Sequence, residues 1–264
     1  MPELSVIIVT YNSEDFIREC LESLYKNLGQ IEAEVIVVDN ASTDKTVSLV
    51  EEKFPQVKLI KNEANVGFGR GHNLGIKSSL GKYKLLLNPD VFLTNDLSAV
   101  FKYLQSEPKI GILGVKLLFP SREVQPYIAG WQYTLADLLV SHLGVGKQAW
   151  KSKVPLQVDW VTGAFFLFRQ ELYQTLADFD EKFFLYFEDQ DYCLRAKKAG
   201  WQVVYYPGYE ALHYHGASSD ASDSYLARHY YASEDYFFAK YRPRWEQIAR
   251  TILVAPIVRL RTRS

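Results

Sequence analysis

Three carboxylates, Glu188, Asp189 and Asp191, follow directly on the apolar, aromatic run FFLYF at 183–187. Carboxyl groups held against apolar walls are suited to acid–base work, because their environment can move their pKa toward the working pH. The apolar positions Tyr192, Leu194, Ala196 and Ala199, with Gly200 as a stop, predict a helix from about Glu188 to Ala199. All three acids then lie in its first turn, where the helix dipole favours their ionised forms. Spacing does not rank them, and Asp191 is also placed for an ion pair with Arg195 one turn on.

Other chemistry-bearing residues stand where apolar runs end: Thr10, Tyr11 and Asn12 after LSVIIVT, Asp39 and Asn40 after EVIVV, Asn65 after VKLIKN, and Asn88 and Asp90 after KYKLLL. Asp39 could accept a base N–H or a ribose hydroxyl, or serve only its turn, with Ser42 or Thr43 capping the next helix. Asp90 offers a hard oxygen for Mg2+ or Mn2+, although Asn-Pro-Asp is also a common turn. The run NVGFGRGHNLGI at 65–76 places Gly67, Gly69, Gly71 and Gly75 around Arg70 and His72. Such glycines let backbone approach a ligand and leave helix N–H groups free for an anion, or they form a tight, closely packed turn. The spacing fits neither the dinucleotide fingerprint nor a Walker loop. His213 and His215, in ALHYHGASS, could be metal ligands or structural residues.

What must position these groups is legible in the first half of the chain. Four apolar runs alternate with helical patterns near 14–27, 43–53, 68–79 and 96–106, which predicts a doubly wound, mostly parallel α/β sheet with helices on both faces. Right-handed crossovers bring every strand's carboxyl end to one edge, the edge where such folds bind ligands. GILGVKLLF and VDWVTGAFFLFRQ read as further strands around the poorly patterned stretch 120–157, whose part from Trp131 to Trp150 is expected to form a flap. Trp131, Tyr133, Trp150 and Trp160 could stack on a ligand ring or fill the core. The expected division is 1–220 for the main domain, with halves of about 1–106 and 107–220, and 221–264 for a helical extension.

With 264 residues, 48% hydrophobic composition and a net charge of −1, the chain can bury a sizeable core and carries no global field suggestive of nucleic acid. Two cysteines, Cys20 and Cys193, both within predicted helices, suggest reduced thiols. No signal peptide and no membrane-spanning run is recognisable, so the expected location is cytoplasmic. The tail 242–264 mixes six arginines with Trp245, Ile248, Ile252, Leu253, Ile257 and Leu260. It is expected to be a basic amphipathic helix peripheral to the inner face of the membrane, kinked at Pro256, or else a helix packed on the main domain.

The ordered set SVIIVTYNS, VIVVDNASTDKT, NVGFGRGHNLGI, LLLNPDV, WVTGAFFLFRQ, FFLYFEDQDYCLR and LHYHGASS resembles the inverting glycosyltransferases of family 2, with the GT-A fold, in their rhamnosyltransferase-like branch. The resemblance covers roughly residues 4–220. It implies that Thr10, Tyr11 and Asn12 hold the nucleotide and that Asp39 reads a uracil or thymine base. It further places Asn65, Gly67 and Arg70 in the donor site, Asn88 and Asp90 at the DxD-type motif with Asn88 in place of the first acid, His213 as the metal histidine, and Gly163 under the donor sugar. Asp189 resembles the catalytic base. The implied partners are a dTDP- or UDP-sugar, a divalent cation (Mg2+ or Mn2+) and a lipid-linked or surface glycan acceptor. The implied reaction is transfer of rhamnose, the alternatives being UDP-galactofuranose or UDP-glucose as donor, or a catalytically silent nucleotide-sugar-binding scaffold.

Overall fold

The structure is a computed structural model that describes residues 1–131, 148–214 and 223–261, the side chains of 223 and 254–261 excepted. Continuous Val, Ile and Leu runs make strands buried on both faces: β1 (Leu4–Thr10), β2 (Ala33–Asp39) and β4 (Tyr83–Leu87), with the shorter β3 (Lys58–Lys61) at one side. Between them run α1 (Ile17–Asn27), α2 (Thr46–Lys53) and α3 (Phe68–Lys77). Then follow β5 (Val91–Leu93), α4 (Ser98–Ser106), β6 (Ile110–Leu118), β7 (Ala129–Gly130), β8 (Leu156–Val158), β9 (Trp160–Val161), β10 (Phe165–Arg169) and α5 (Gln170–Leu176). The last elements are α6 (Glu188–Lys198), β11 (Gln202–His213), α7 (Asp223–Tyr241) and α8 (Arg244–Arg261).

The main sheet runs β3-β2-β1-β4-β10-β6-β11-β5, with β8 on β11. β1, β2, β3 and β4 are mutually parallel, and β6 pairs parallel with β11. β10 lies antiparallel between β4 and β6, so six strands share one direction and β5, β8 and β10 oppose it. An apolar run such as FFLFR shows burial but not direction, which is why the uniform alternation of the first half did not announce this insertion. The consequence is useful: the carboxyl ends of β1, β2, β4 and β11 and the amino end of β10 all reach one edge.

Arg169 closes the opposite end. Its buried guanidinium donates to the carbonyls of Ile110 (2.8 Å), Glu107 (3.1 Å) and Leu104 and to the Tyr83 hydroxyl (3.3 Å), so it ties the carboxyl end of α4 to the start of β6. In α3, Gly75 meets β1 so closely that a Cβ there would lie 2.4 Å from an Ile7 methyl. That part of the glycine run serves helix-on-sheet packing. Cys20 and Cys193 are buried free thiols, both pushed up by burial. Trp160 and Trp150 belong to the core rather than the surface, Trp131 is partly exposed, and Tyr133 and His215 lie outside the described residues, as does most of the expected flap.

Candidate active site

Asp39 ends β2 opposite Thr10 at the end of β1, and both are buried. The Asp39 carboxylate accepts the Thr10 hydroxyl at 2.9 Å, the Ser42 hydroxyl at 2.5 Å and the Ser42 N–H at 2.9 Å. A carboxylate has about four lone-pair sites. Three fix Asp39 in place and one is left for a ligand donor. Asn12, at a positive φ of 47°, accepts the Thr43 N–H at 2.8 Å while its own N–H donates to Ser42. Its side chain therefore pins the two loops together, and Tyr11, 40% exposed, is the group of this trio that stands at the surface.

The glycine-rich loop joins this edge through Asn65, whose side-chain Oδ1 accepts from the Asn40 amide at 3.3 Å and from the Gly67 N–H at 3.0 Å. Gly67 has φ of 85°, and a Cβ there would sit 2.4 Å from the Phe184 carbonyl. Only glycine fits. The next N–H, of Phe68, donates to that carbonyl at 2.8 Å, so the loop is stitched to the segment that carries the three acids. Arg70 is exposed on the first turn of α3, 3.6 Å from Glu181.

Asp90 and His213, 123 positions apart, meet because β11 pairs antiparallel with β5, His213 opposite Val91. Asp90 Oδ1 is buried, has no hydrogen-bond partner and lies 3.5 Å from His213 Nε2. Gln125 sets the imidazole. Its amide donates to the His213 carbonyl at 2.6 Å, which only the NH2 group can do, so its oxygen faces Nδ1 at 2.8 Å and the ring proton sits on Nδ1. The Nε2 lone pair then points to the same side as an orphaned carboxylate oxygen. An imidazole nitrogen beside a carboxylate oxygen is a donor set that suits a hard or borderline divalent cation. Asn88 Oδ1, also buried and without a hydrogen-bond partner, is close in sequence. Among the described residues no group of three or more His, Cys, Asp or Glu could hold a metal, so within them this pair would supply two ligands and leave further coordination positions open. Gln125 falls in the unpatterned stretch after residue 120, and nothing in the sequence marks it.

The three acids separate by environment. Asp191 is fully buried and fully used: it binds Arg195 at 2.8 Å, Lys240 at 2.6 Å and the Tyr241 hydroxyl at 2.6 Å. The pair with Arg195 is the one its helical spacing suggested. Glu188 is buried with Oε2 lacking a hydrogen-bond partner, and burial, reinforced by the charge of Asp189, holds its carboxyl well above the ordinary range. Asp189 is half-buried, and burial lifts it to about 6 against the opposing pull of the Gly163 N–H (2.8 Å) and the Gln190 N–H (2.7 Å). The helix dipole favours the ionised forms of the first-turn acids, whereas their apolar surroundings favour the protonated ones. Desolvation exceeds the dipole at Glu188 and Asp189 because both sit behind the aromatic wall rather than at a solvated helix end.

That wall is strained. Tyr186 and Phe187 have φ of 70° and 67°, unusual for bulky residues. An aromatic cluster holds them: Phe187 packs on Phe237 and Tyr230 of α7, Tyr186 on Tyr230, and Phe183 on Tyr236. Lys240 bridges Asp180 and Asp191 at 2.6 Å each, clamping both ends of the acidic segment to α7. Strain kept by surrounding packing is a mark of functional segments.

This strand order, with the carboxyl ends of the parallel strands and the acidic helix meeting at one edge, is that of the GT-A fold. Residues 5–189 match the sequence profile of Glycosyl transferase family 2, and the chain belongs to that family. Its relatives include the N-acetylglucosaminyl-diphospho-decaprenol L-rhamnosyltransferase of Mycobacterium tuberculosis, 28% identical over 95% of this chain and 89% of the relative. The Escherichia coli rhamnosyltransferase WbbL is 30% identical over 79% of this chain and 82% of its own. Among solved structures, the mannosyltransferase PcManGT of Pyrobaculum calidifontis, in complex with GDP-Man and Mn2+, has a TM-score of 0.60 at 19% identity, covering 99% of this chain and 73% of that one. S. aureus TarS 1-349 in complex with UDP gives 0.58 at 22% identity over 86% of this chain, which spans 63% of it. Among the described residues no helix is long and apolar enough to cross a membrane.

Proposed function

We propose that this glycosyltransferase moves L-rhamnose from dTDP-rhamnose to a sugar hydroxyl of a lipid-linked glycan acceptor, with inversion. The observation that carries the reading is the convergence on one sheet edge of Asp39, the Asp90–His213 pair and Asp189. Rhamnose and the lipid-linked acceptor come from likeness to the two rhamnosyltransferases. Asp39 accepts the N3–H of the thymine base, and the Thr10–Asn12 and Asn65–Gly67 loops, with Arg70, border the nucleotide.

In the transfer step the acceptor oxygen attacks the anomeric carbon from the face opposite the diphosphate, the bond to the diphosphate breaks, and Asp189 takes the hydroxyl proton. A carboxyl near 6 is ionised at neutral pH yet basic enough to accept that proton. Glu188, whose buried site favours its protonated form, leaves Asp189 to carry the charge. The N–H groups of Gly163 and Gln190 hold the base in orientation, and Asp191 secures the helix beneath it. Asp90 and His213 would hold a divalent cation, Mg2+ or Mn2+, which when bound neutralises charge on the leaving diphosphate.

The test is a transfer assay with dTDP-rhamnose, UDP-galactofuranose and UDP-glucose against an N-acetylglucosaminyl-diphospho-polyprenol. Product from dTDP-rhamnose alone supports the reading, product from a UDP-sugar reassigns the donor, and donor binding without product from any of them favours a silent scaffold.

A further inference from the structure

The carboxyl-terminal helix α8 is mounted with Arg250 inward and an apolar stripe outward. Arg250 is buried and paired with Glu234 and Asp235 of α7, its Nε donating to Glu234 at 3.0 Å. That anchor fixes the rotation of the helix. At 3.6 residues per turn, Arg250 lies roughly 140° around from Trp245. The side it turns outward carries Trp245 (64% exposed), Ile248 (55%), Ile252 (68%) and Leu253 (46%), at spacings of three, seven and eight from the first. Four large apolar side chains in one exposed stripe are unusual for a surface facing only water.

Charge says what covers the stripe. Residues 242–264 hold six arginines and a single acid, Glu246, in a chain whose net charge is −1. Arg244 is exposed beside Trp245, and Arg259, Arg261 and Arg263 follow in the sequence. A second copy of this chain would bring the same positive charge against itself. We propose that the outward face of α8 docks on an anionic phospholipid surface, its apolar stripe sunk to the depth of the acyl boundary and Arg244 among the headgroups. The chain lies on the bilayer and does not span it, in keeping with the absence of a spanning helix among the described residues. This surface is independent of the transfer chemistry in the cleft.

The test is co-sedimentation of the full chain with vesicles of phosphatidylcholine, with and without phosphatidylglycerol, beside the double variant Trp245→Glu/Ile252→Glu and the single variant Arg244→Glu. Both apolar sites are more than half exposed, so the variants keep the fold, which thermal unfolding verifies. The expected result is binding to phosphatidylglycerol vesicles that weakens with salt, is lost in the double variant, and falls by about fivefold or more in Arg244→Glu. Absence of binding at low salt, equal binding to phosphatidylcholine alone, or binding unchanged by the double variant overturns the proposal. So does light scattering that shows a dimer dissociated by the same substitutions.

Discussion

Asp189 and Asp191 are two positions apart on one helix turn, and their Asn variants should differ sharply in stability. Asp191 is fully buried with three partners on α6 and α7, two of them cationic. An amide there keeps the volume but loses the charge and turns an N–H toward Arg195, Lys240 or Tyr241. Breaking a buried pair on one side costs about 3–5 kcal/mol. At about 2–4 °C per kcal/mol the melting temperature of Asp191→Asn falls by roughly 6–20 °C. Asp189 differs because its carboxyl is raised from 3.8 to about 6. Below the unfolded value the two states bind the same proton. Between about 4 and 6 the folded state holds a proton that the unfolded chain has released, so stability declines as pH rises through that window and is lowest above it. The shift of about 2 units corresponds to roughly 3 kcal/mol of cost at neutral pH. Asn removes that cost but turns its own N–H toward Gly163 or Gln190, so Asp189→Asn should leave the melting temperature unchanged or raise it by up to about 4 °C. Thermal unfolding of both variants at neutral pH and near pH 4.5 measures this. A large loss of stability in Asp189→Asn, or none in Asp191→Asn, refutes the division of the pair into poised base and buried anchor.

Four further outcomes are expected. The rate of transfer at saturating substrate should fall below about pH 6 as Asp189 takes up its proton, and a profile flat to pH 5 contradicts the assignment. Gln125→Leu frees the imidazole of His213 to tautomerise and turn, so the affinity of the nucleotide complex for Mn2+, read by titration calorimetry, should weaken about 10–100-fold with the fold intact. Asp39→Ala should cost about 1.5–3 kcal/mol in nucleotide binding through loss of one charge-assisted bond, measured with dTDP by calorimetry. Arg169→Met removes the buried guanidinium's bonds to the carbonyls of Leu104, Glu107 and Ile110 and should lower stability by about 3 kcal/mol in denaturant titration, with transfer by the folded fraction unchanged.

Much of this site was legible before the fold. Apolar runs ending in Thr10, Asp39 and Asn88 place those residues on one edge by the rule for parallel strands, and they stand there. The acidic segment was legible as chemistry, because carboxylates beside aromatic residues invite acid–base work. What spacing did not carry is contact between distant parts. The pairing of β11 with β5 that joins His213 to Asp90, the role of Gln125 and the clamp from Lys240 depend on neighbours up to 123 positions apart. The direction of β10 is invisible in a run of buried residues. Both the helix dipole and the aromatic run are visible in sequence, but which outweighs the other at Glu188 and Asp189 is decided only by the burial that the folded wall provides. The glycine run divides, Gly75 serving helix packing and Gly67 a left-handed turn against Phe184, a distinction that needs coordinates.

The most direct test of the central claim is single-turnover transfer by the wild-type chain and by Asp189→Asn under saturating donor, with donor binding measured in parallel and the anomeric configuration of the product determined by NMR. Asp189 as the base predicts an inverted product, donor affinity within about twofold of wild type, and a transfer rate lowered by about 10²–10⁴ in the variant. A retained configuration, or an Asp189→Asn protein that transfers at the wild-type rate, would contradict it.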